Sequence, residues 1–424
     1  MKKRNTPMQI INNVLIAFAL TLLCFAVSAQ TPIYTTYIPS TDTYSQDNQL
    51  MSIQFDKTAN LVWAGTRSYH SPLKKFDGTN WTNYIDSVSN CVYGEASSVV
   101  MDNAHNVWYS TMGGGISKFN GTSFTNYRSS NSGLANDFVT CMAMDNSNNL
   151  FLYATNMHET QKFTGSVWST LENFSYGLKM CYDSTNNTVW MATDGRGLKK
   201  IQGSVITTYN IGNSSIPNDH VTAITVDNNG AVWMAFDDNT SGIMKFNGTV
   251  WTPYTSGNSG LLNNNYIGTL KSDKNGNIWI GGGGYQGLSK FNGTAWTSYD
   301  VSYPYFPSMY ISDIAFGNNN VLWIATGSGL VKMQMPTGIS ETIYDNNIVK
   351  LYPNPSSSQV TISFTKEFVN AALKITDVLG KEVKEINFTG KQITFNRENL
   401  ENGTYFYNIV SENKKIAEGK LLIQ

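Results

Sequence analysis

Short apolar runs alternate with polar turns along most of the chain, and the runs recur. An aromatic residue following a polar turn stands at Trp63, Trp108, Phe151, Trp190, Trp233, Trp279 and Trp323, at steps of 45, 43, 39, 43, 46 and 44 residues. Each sits in a brief strand-like segment, such as Asn106-Val107-Trp108-Tyr109 or Asn277-Ile278-Trp279-Ile280. Before most of them comes an Asp-led turn, as in Asp227-Asn228-Asn229-Gly230. After each comes a Gly-rich loop and an apolar strand that closes on a tight turn, as in Ile243-Met244-Lys245-Phe246-Asn247-Gly248. Asn-Gly after a strand signals a hairpin, because both residues tolerate positive φ. The next strand reads Trp-Thr-x-Tyr at Trp81–Tyr84, Trp251–Tyr254 and Trp296–Tyr299. No 3.6-residue period runs through the units, which excludes helical solenoids.

One unit therefore holds four short antiparallel strands, a to d, from Val221–Val226 through Trp251–Tyr254 in the clearest copy. Repetition at about 44 residues predicts a β-propeller. Strand d starts at Trp81, Phe124, Trp168, Ile206, Trp251 and Trp296, one copy short of the aromatic count. The missing copy is Tyr34-Thr35-Thr36-Tyr37 at the other end. Seven blades are expected, the last closed by three C-terminal strands and one N-terminal strand, which covers a sheet edge that would otherwise pair with other chains. Pro253 fits an outermost strand, where a missing N–H is tolerated.

Past Pro336 the repeat stops. Alternating segments follow: Val360-Thr361-Ile362-Ser363-Phe364, Ala372-Leu373-Lys374-Ile375, the run Gly403 to Val410, and Lys420 to Ile423, with a turn at Asp377 to Gly380. They predict a small Ig-like β-sandwich. The fold class is all-β: a signal peptide (1–29), a seven-bladed β-propeller (30–338), a linker (339–347) and a sandwich (348–424).

Composition sharpens this picture. Charged residues make up 14% of the chain and the formal net charge is -1, so no basic excess exists to neutralise a phosphate backbone, and nucleic acid is not expected as a partner. Lys2, Lys3 and Arg4, the apolar run from Val14 to Val27, and the small residues up to Ala29 read as a secretory signal cut before Gln30. The run is shorter than the ~20 residues of a spanning helix, and no membrane span is expected in the mature chain. Cleavage removes Cys24 and leaves Cys91, Cys141 and Cys181, an odd set with no metal-motif spacing. Cys141 and Cys181 stand four and two residues before Asp145 and Asp183, on the same sheet face, and should not form a disulfide.

The repeats resemble the two-component regulator propeller family. The residues that carry the resemblance are Leu61-Val62-Trp63-Ala64-Gly65-Thr66 and the run Val189 to Leu198, while the copy Leu150 to Thr155 is degenerate. Propellers of that family often form the extracytoplasmic half of sensor kinases. That role does not carry over, since the resemblance ends near residue 335 and no kinase motif follows. The segment 348–424 looks like the type A C-terminal sorting domain of type IX secretion, through Leu351-Tyr352-Pro353-Asn354-Pro355, the Asp377-to-Gly380 turn, Asn402-Gly403-Thr404-Tyr405 and the closing Gly419-Lys420. This resemblance implies a partnership with the type IX machinery through 348–424. It also implies passage from the periplasm to the outer-membrane surface or beyond.

Binding on a fixed scaffold usually resides in the loops that vary. Here the a–b and c–d turns are uniform, while the b–c and d–a loops of the opposite face differ from blade to blade. The b–c loops nominate Arg67, Tyr69, His70, His158, Glu159, Asp194, Arg196, Asp237, Asp238 and Tyr285 as ligand-binding residues. The d–a loops add Tyr93, Glu95, Asp137, Asp219, His220, Tyr266, Tyr303, Tyr305 and Tyr310. Aromatic faces with short polar groups suit a glycan, peptide or protein ligand. The repeated acids Asp56, Asp102, Asp145, Asp183, Asp227 and Asp273 each head a turn and read as caps, not calcium ligands. The sequence shows no nucleophile elbow, zinc motif or phosphate loop, and no cofactor is expected. Sialidase chemistry is not expected, because Arg67, Arg128 and Arg196 are the propeller's only arginines and Arg128 lies in a different loop type. The leading expectation is a non-catalytic binding module. The alternative is a secreted lyase or hydrolase with its site on the same face.

Overall fold

The computed structural model describes residues 32–39, 48–264, 267–283, 287–299, 301, 305–335, 349–378, 380–398, 400–411 and 414–424. The expected signal peptide (1–29) and linker (339–347) lie outside the described residues. Residues 31–336 form one compact unit, and residues 337–424 lie in another.

The first unit holds seven four-stranded antiparallel sheets. Six follow chain order from strand a to strand d, starting at Leu50, Ala96, Val139, Gly177, Val221 and Ile267. Blade 7 takes strands a to c from Ile311–Phe316, Val321–Thr326 and Gly329–Gln334, and strand d from Ile33–Tyr37. The closing register runs from Ile33↔Gln334 to Tyr37↔Leu330. Pro253 lies in the outer strand of blade 5, opposite Met244.

The repeated aromatic explains how blades stack. Each strand b is buried on both faces, as in Val107–Thr111 and Val232–Phe236. Its aromatic side chain reaches into the following sheet. Trp63 joins the core of Val99, Tyr109 and Phe119, Trp233 that of Leu270 and Phe291, and Trp323 that of Ile53 and Phe76 across the closure. Burial of a large aromatic stabilises by ~2–3 kcal/mol. The repeated contact makes the ring a chain of interblade cores.

The turn acids cap their own turns. In blades 2, 5 and 6 the carboxylate of Asp102, Asp227 or Asp273 accepts the N–H groups two and four residues on, at 2.9–3.0 Å. Its second oxygen accepts the indole N–H of Trp108, Trp233 or Trp279 at 3.0–3.1 Å. Burial alone would raise the Asp102 and Asp227 carboxyls, but the donors around them and the ammonium of Lys118 or Lys245 hold both below the ordinary value. Blade 4 breaks the pattern. Its turn is one residue longer, Asn186 takes the second oxygen of Asp183 at 2.7 Å, and Trp190 Nε1 has no hydrogen-bond partner among the described residues.

The innermost strands are stitched by hydroxyls. Ser97, Thr140, Thr222 and Ser312 each donate to the first carbonyl of the next strand a, on Val139, Gly177, Ile267 and Leu50. Counting four residues back from the turn acid, or from Gly317 in blade 7, gives one ring of side chains: Ser52, Ser98, Cys141, Lys179, Ala223, Thr269 and Asp313. All seven line an axial cavity of about 330 Å³ to which every blade contributes. Cys91, Cys141 and Cys181 are free thiols, and burial pushes Cys141 and Cys181 up to about 12.

The second unit is a five-stranded antiparallel sheet, with strands at Val349–Tyr352, Gln359–Thr376, Glu382–Asn396, Gly403–Ser411 and Lys414–Ile423. Two segments expected as separate strands are one. Gln359–Thr376 runs through Val360 and Ala372 with register shifts between Ser363 and Ala371. Those shifts bend the strand, so that Val360, Ile362 and Phe364 face the same core as Leu373, Tyr407 and Ile409. The strand Glu382–Asn396 was not foreseen, because most of its residues are exposed and only Ile393 and Phe395 are buried.

Candidate functional site

Backbone hydrogen bonds bring the b–c and d–a loops to one face. Arg67 N–H donates to Gln49, Asp194 to Tyr176, Asp237 to His220 and Gly197 to Asp219. Two groups of nominated residues gather there.

The first spans blades 3 to 5. His158 has a positive φ of 57° and presents its ring beside Tyr176, at 4.5 Å, and Phe174, at 6.1 Å. Buried Tyr153 anchors it, Oη to Nδ1, at 3.0 Å. The Arg196 guanidinium lies 5.3 Å from the Tyr176 ring centroid. Beyond it, His220 Nε2 meets Asp194 Oδ1 at 2.8 Å, and Nδ1 faces Asp237 Oδ2 at 3.5 Å. The result is an aromatic row, open at Phe174 (63% exposed), that ends in an acid–imidazole–acid cluster.

The second group spans blades 1 to 3. Tyr69 and Tyr93 lie 5.8 Å apart, the Arg128 guanidinium sits 5.4 Å from Tyr93, and His70 Nδ1 contacts Asp86 Oδ2 at 3.2 Å. Arg67 pairs with Glu95 at 3.5 Å, an exposed pair worth little to stability.

Two nominated residues have structural duties. Asp238 accepts from Thr240 N–H, Ser241 N–H and both of their hydroxyls, at 2.6–2.9 Å, and from Asn218 at 2.9 Å. Burial works to raise its carboxyl, but these donors outweigh it and hold it far below the usual range. It pins two loops together. Glu159 is not a loop residue: it opens strand c of blade 3 and accepts the Thr170 hydroxyl at 2.9 Å. Tyr285 lies outside the described residues, as do Tyr266 and Tyr303. Sequence reasoning passed over Tyr153, Phe174, Tyr176 and Arg128. Phe174 and Tyr176 form an aromatic pair in a d–a loop, a visible signal. Arg128 needed the fold, because its loop and that of Tyr93 are far apart in sequence.

Fold and loop face together define a seven-bladed propeller with a separate small β unit. Residues 260–284 match the model of the two component regulator propeller, and residues 350–424 match that of the secretion system C-terminal sorting domain, the type IX tail. No curated protein matches the chain. Among solved structures it is similar to PorZ, a bacterial surface component of the type IX secretion system of Porphyromonas gingivalis. Identity is 18%, the TM-score is 0.58, and 89% of this chain and 60% of PorZ are covered. The extracellular domain of BT3049 of B. thetaiotaomicron, described as a hybrid two component system, aligns at 15% identity and TM-score 0.56, over 93% of this chain and 57% of that one. Virginiamycin B lyase from Staphylococcus aureus aligns at 12% identity and TM-score 0.59, over 72% of this chain and 99% of the lyase. The chain thus spans about three fifths of the PorZ chain and of the BT3049 extracellular domain. At these identities the likeness shows the fold alone. Among the described residues no helix is long and apolar enough to cross a membrane.

Proposed function

We propose that this protein is a secreted or surface-held propeller that binds an extracellular glycan, peptide or protein on its b–c and d–a loop face, without catalysis. The sorting tail supports export to the cell surface or outer membrane. The observation that carries the binding reading is the set of open aromatic rings on one face: Tyr69, Tyr93 and the row Phe174–His158–Tyr176. Flat apolar faces edged by guanidinium and carboxylate groups suit stacking with directional hydrogen bonds. Two structural neighbours carry names from the cell exterior, a surface component and an extracellular domain, in keeping with this reading.

A second reading has one specific observation behind it. His220, held between Asp194 and Asp237, has the composition of a general acid–base group, and one neighbour of the same fold is named as a lyase. One experiment separates the two. The full-length chain is screened on glycan and peptide arrays beside Tyr93→Ala, Tyr176→Ala and His220→Ala. The binding reading expects a saturable ligand that either tyrosine substitution weakens about tenfold or more. Turnover of an arrayed ligand, lost in His220→Ala, would favour the lyase or hydrolase. Binding indifferent to both tyrosines would remove the loop face from consideration.

A further inference from the structure

None of the loop-face residues lines the axial cavity, and its lining among the described residues carries three charged side chains: Lys179, Lys271 and Asp313. Asp313 is fully committed. Its Oδ2 accepts Ile53 N–H at 2.9 Å and the Ser52 hydroxyl at 3.2 Å. Its Oδ1 accepts Ile314 N–H at 2.9 Å and faces Lys271 Nζ at 3.0 Å. This carboxylate staples the last blade to the first. Burial would raise its carboxyl, but the nearby charges of Lys271 and Lys179 and the Ile53 N–H outweigh burial and keep it below the ordinary value, hence ionised.

Two ammonium groups therefore share one carboxylate, and that carboxylate has little acceptor capacity left. Lys271 takes the direct contact. Lys179 makes no hydrogen bond or ion pair with any described residue, although an ammonium has three N–H donors to place. At the same ring position, the blade 1 and blade 7 side chains, Ser52 and Asp313, accept an N–H from the next inner strand. A lysine cannot accept, so Lys179 is left with its charge in the cavity. Ser98, in the same ring, likewise makes no side-chain hydrogen bond with the described residues. The thiols of Cys141 and Cys181, both pushed up to about 12 by burial, are neutral and do not repel an anion.

We propose that the axial channel is a binding site for one small oxyanion, a carboxylate or a phosphate, seated against Lys179 and Lys271 with hydroxyl donors beside them. A half-buried ammonium gains most from a charged acceptor, and charge-assisted hydrogen bonds are about twice as strong as neutral ones. The cavity, about 330 Å³, is at the small end of ligand pockets and holds such an anion with its water.

The test uses the full-length chain and three sodium salts at matched ionic strength: acetate, inorganic phosphate and chloride. Melting temperature is followed as each salt is titrated. The expected result is a saturable rise with acetate or phosphate beyond that with chloride, and the stronger of the two identifies the source. In Lys179→Met the midpoint concentration rises at least tenfold. Lys179→Gln, which keeps a polar end, does the same should the Met variant fold poorly. Asp313→Asn retains an acceptor for Ile53 N–H but frees the charge of Lys271, so the midpoint falls. Phosphate also stabilises proteins by exclusion from their surface, but that effect does not saturate and is blind to Lys179. A rise no larger than that of chloride, or equal titrations for parent and Lys179→Met, would overturn the assignment.

Discussion

Deleting Ile33–Tyr37 removes the strand that closes the ring, and its cost can be worked out from the structure. Five residues pair with Leu330–Gln334, so about five backbone hydrogen bonds go, each worth ~1 kcal/mol net. Tyr34 packs beside Phe306 at 5.6 Å, and Tyr37 beside Phe76 at 4.6 Å. Half-buried rings of this kind contribute ~1–2 kcal/mol each. Ordering the five residues costs ~1 kcal/mol apiece and offsets much of this. The net loss is ~2–4 kcal/mol. A unit of ~300 residues unfolds with an entropy of ~0.6 kcal/mol/K, so the melting temperature should fall by about 5 °C. Tyr37→Ala keeps the ladder and loses one ring, and should lower it by about 2–3 °C. The deletion also bares a strand edge at Gly329–Gln334, so light scattering should report association that the point variant lacks. If both variants melt within a degree of the parent, the three-plus-one closure is not what holds the last blade.

The interblade polar groups give further expectations. Trp233→Phe removes the indole donor from buried Asp227 and should cost ~1–3 kcal/mol beyond its packing term, whereas Trp190→Phe, whose Nε1 is unpartnered among the described residues, should cost under ~1 kcal/mol by urea denaturation. Lys199 is buried and pairs with Glu172 at 2.6 Å between blades 3 and 4. Glu172→Gln should therefore cost ~3–5 kcal/mol, while the double variant Lys199→Met/Glu172→Leu should recover most of it, and an additive cycle would refute the coupling. The Asp102 and Asp227 carboxyls are depressed in the folded state, so the stability they give is present above their unfolded value of 3.8 and is lost as pH falls through their lower folded values. Asp227→Asn should accordingly flatten the acid limb of a stability–pH profile below about pH 4, and an unchanged limb would assign acid unfolding to other groups.

Blade number, closure and the capping acids were legible because each recurs at a fixed place in a repeat. Seven copies average out local irregularity, and a missing strand d at one end points to the other. The tail's long strand was not legible. Residues Thr365 to Asn370 interrupt its alternation, and only the bend that puts Phe364 and Phe368 in contact at 5.2 Å shows one strand turning a corner. The loop face was legible as a set of loops but not as a site, since which loops touch depends on ring geometry. Arg128 reaches Tyr93 from the next d–a loop, and Asp194, His220 and Asp237 come from three different loops. Lys179 and Lys271 are a different case. Each reads as the polar member of an alternating strand and attracts no notice alone. Counting back from the turn acid Asp183, and from Gly317 at the same place in blade 7, puts Lys179 in the same ring as Asp313.

The remaining expectation concerns the tail. Every strand of the seven blades comes from residues 33–334, and the last blade is completed by the N-terminal strand, so the propeller lacks no sheet edge that the tail must fill. The tail buries a core of its own, from Val360 and Phe364 through Leu373 and Tyr407 to Leu421 and Ile423, with Leu351, Ile386 and Phe388 packed against it. Each unit thus has what it needs to fold: one a closed ring, the other a bent sheet wrapped on a single cluster. Removing residues 348–424 should then leave the melting temperature of the propeller within about 2 °C of the transition it shows in the full chain. The same truncation should hold the protein in the periplasm of its native host, since the matched sorting segment, 350–424, is gone. Calorimetry of both forms and surface labelling of intact cells are the two measurements. A propeller that fails to fold without the tail would show that the cores are not independent, and a truncated protein found at the surface would show that export does not depend on this segment.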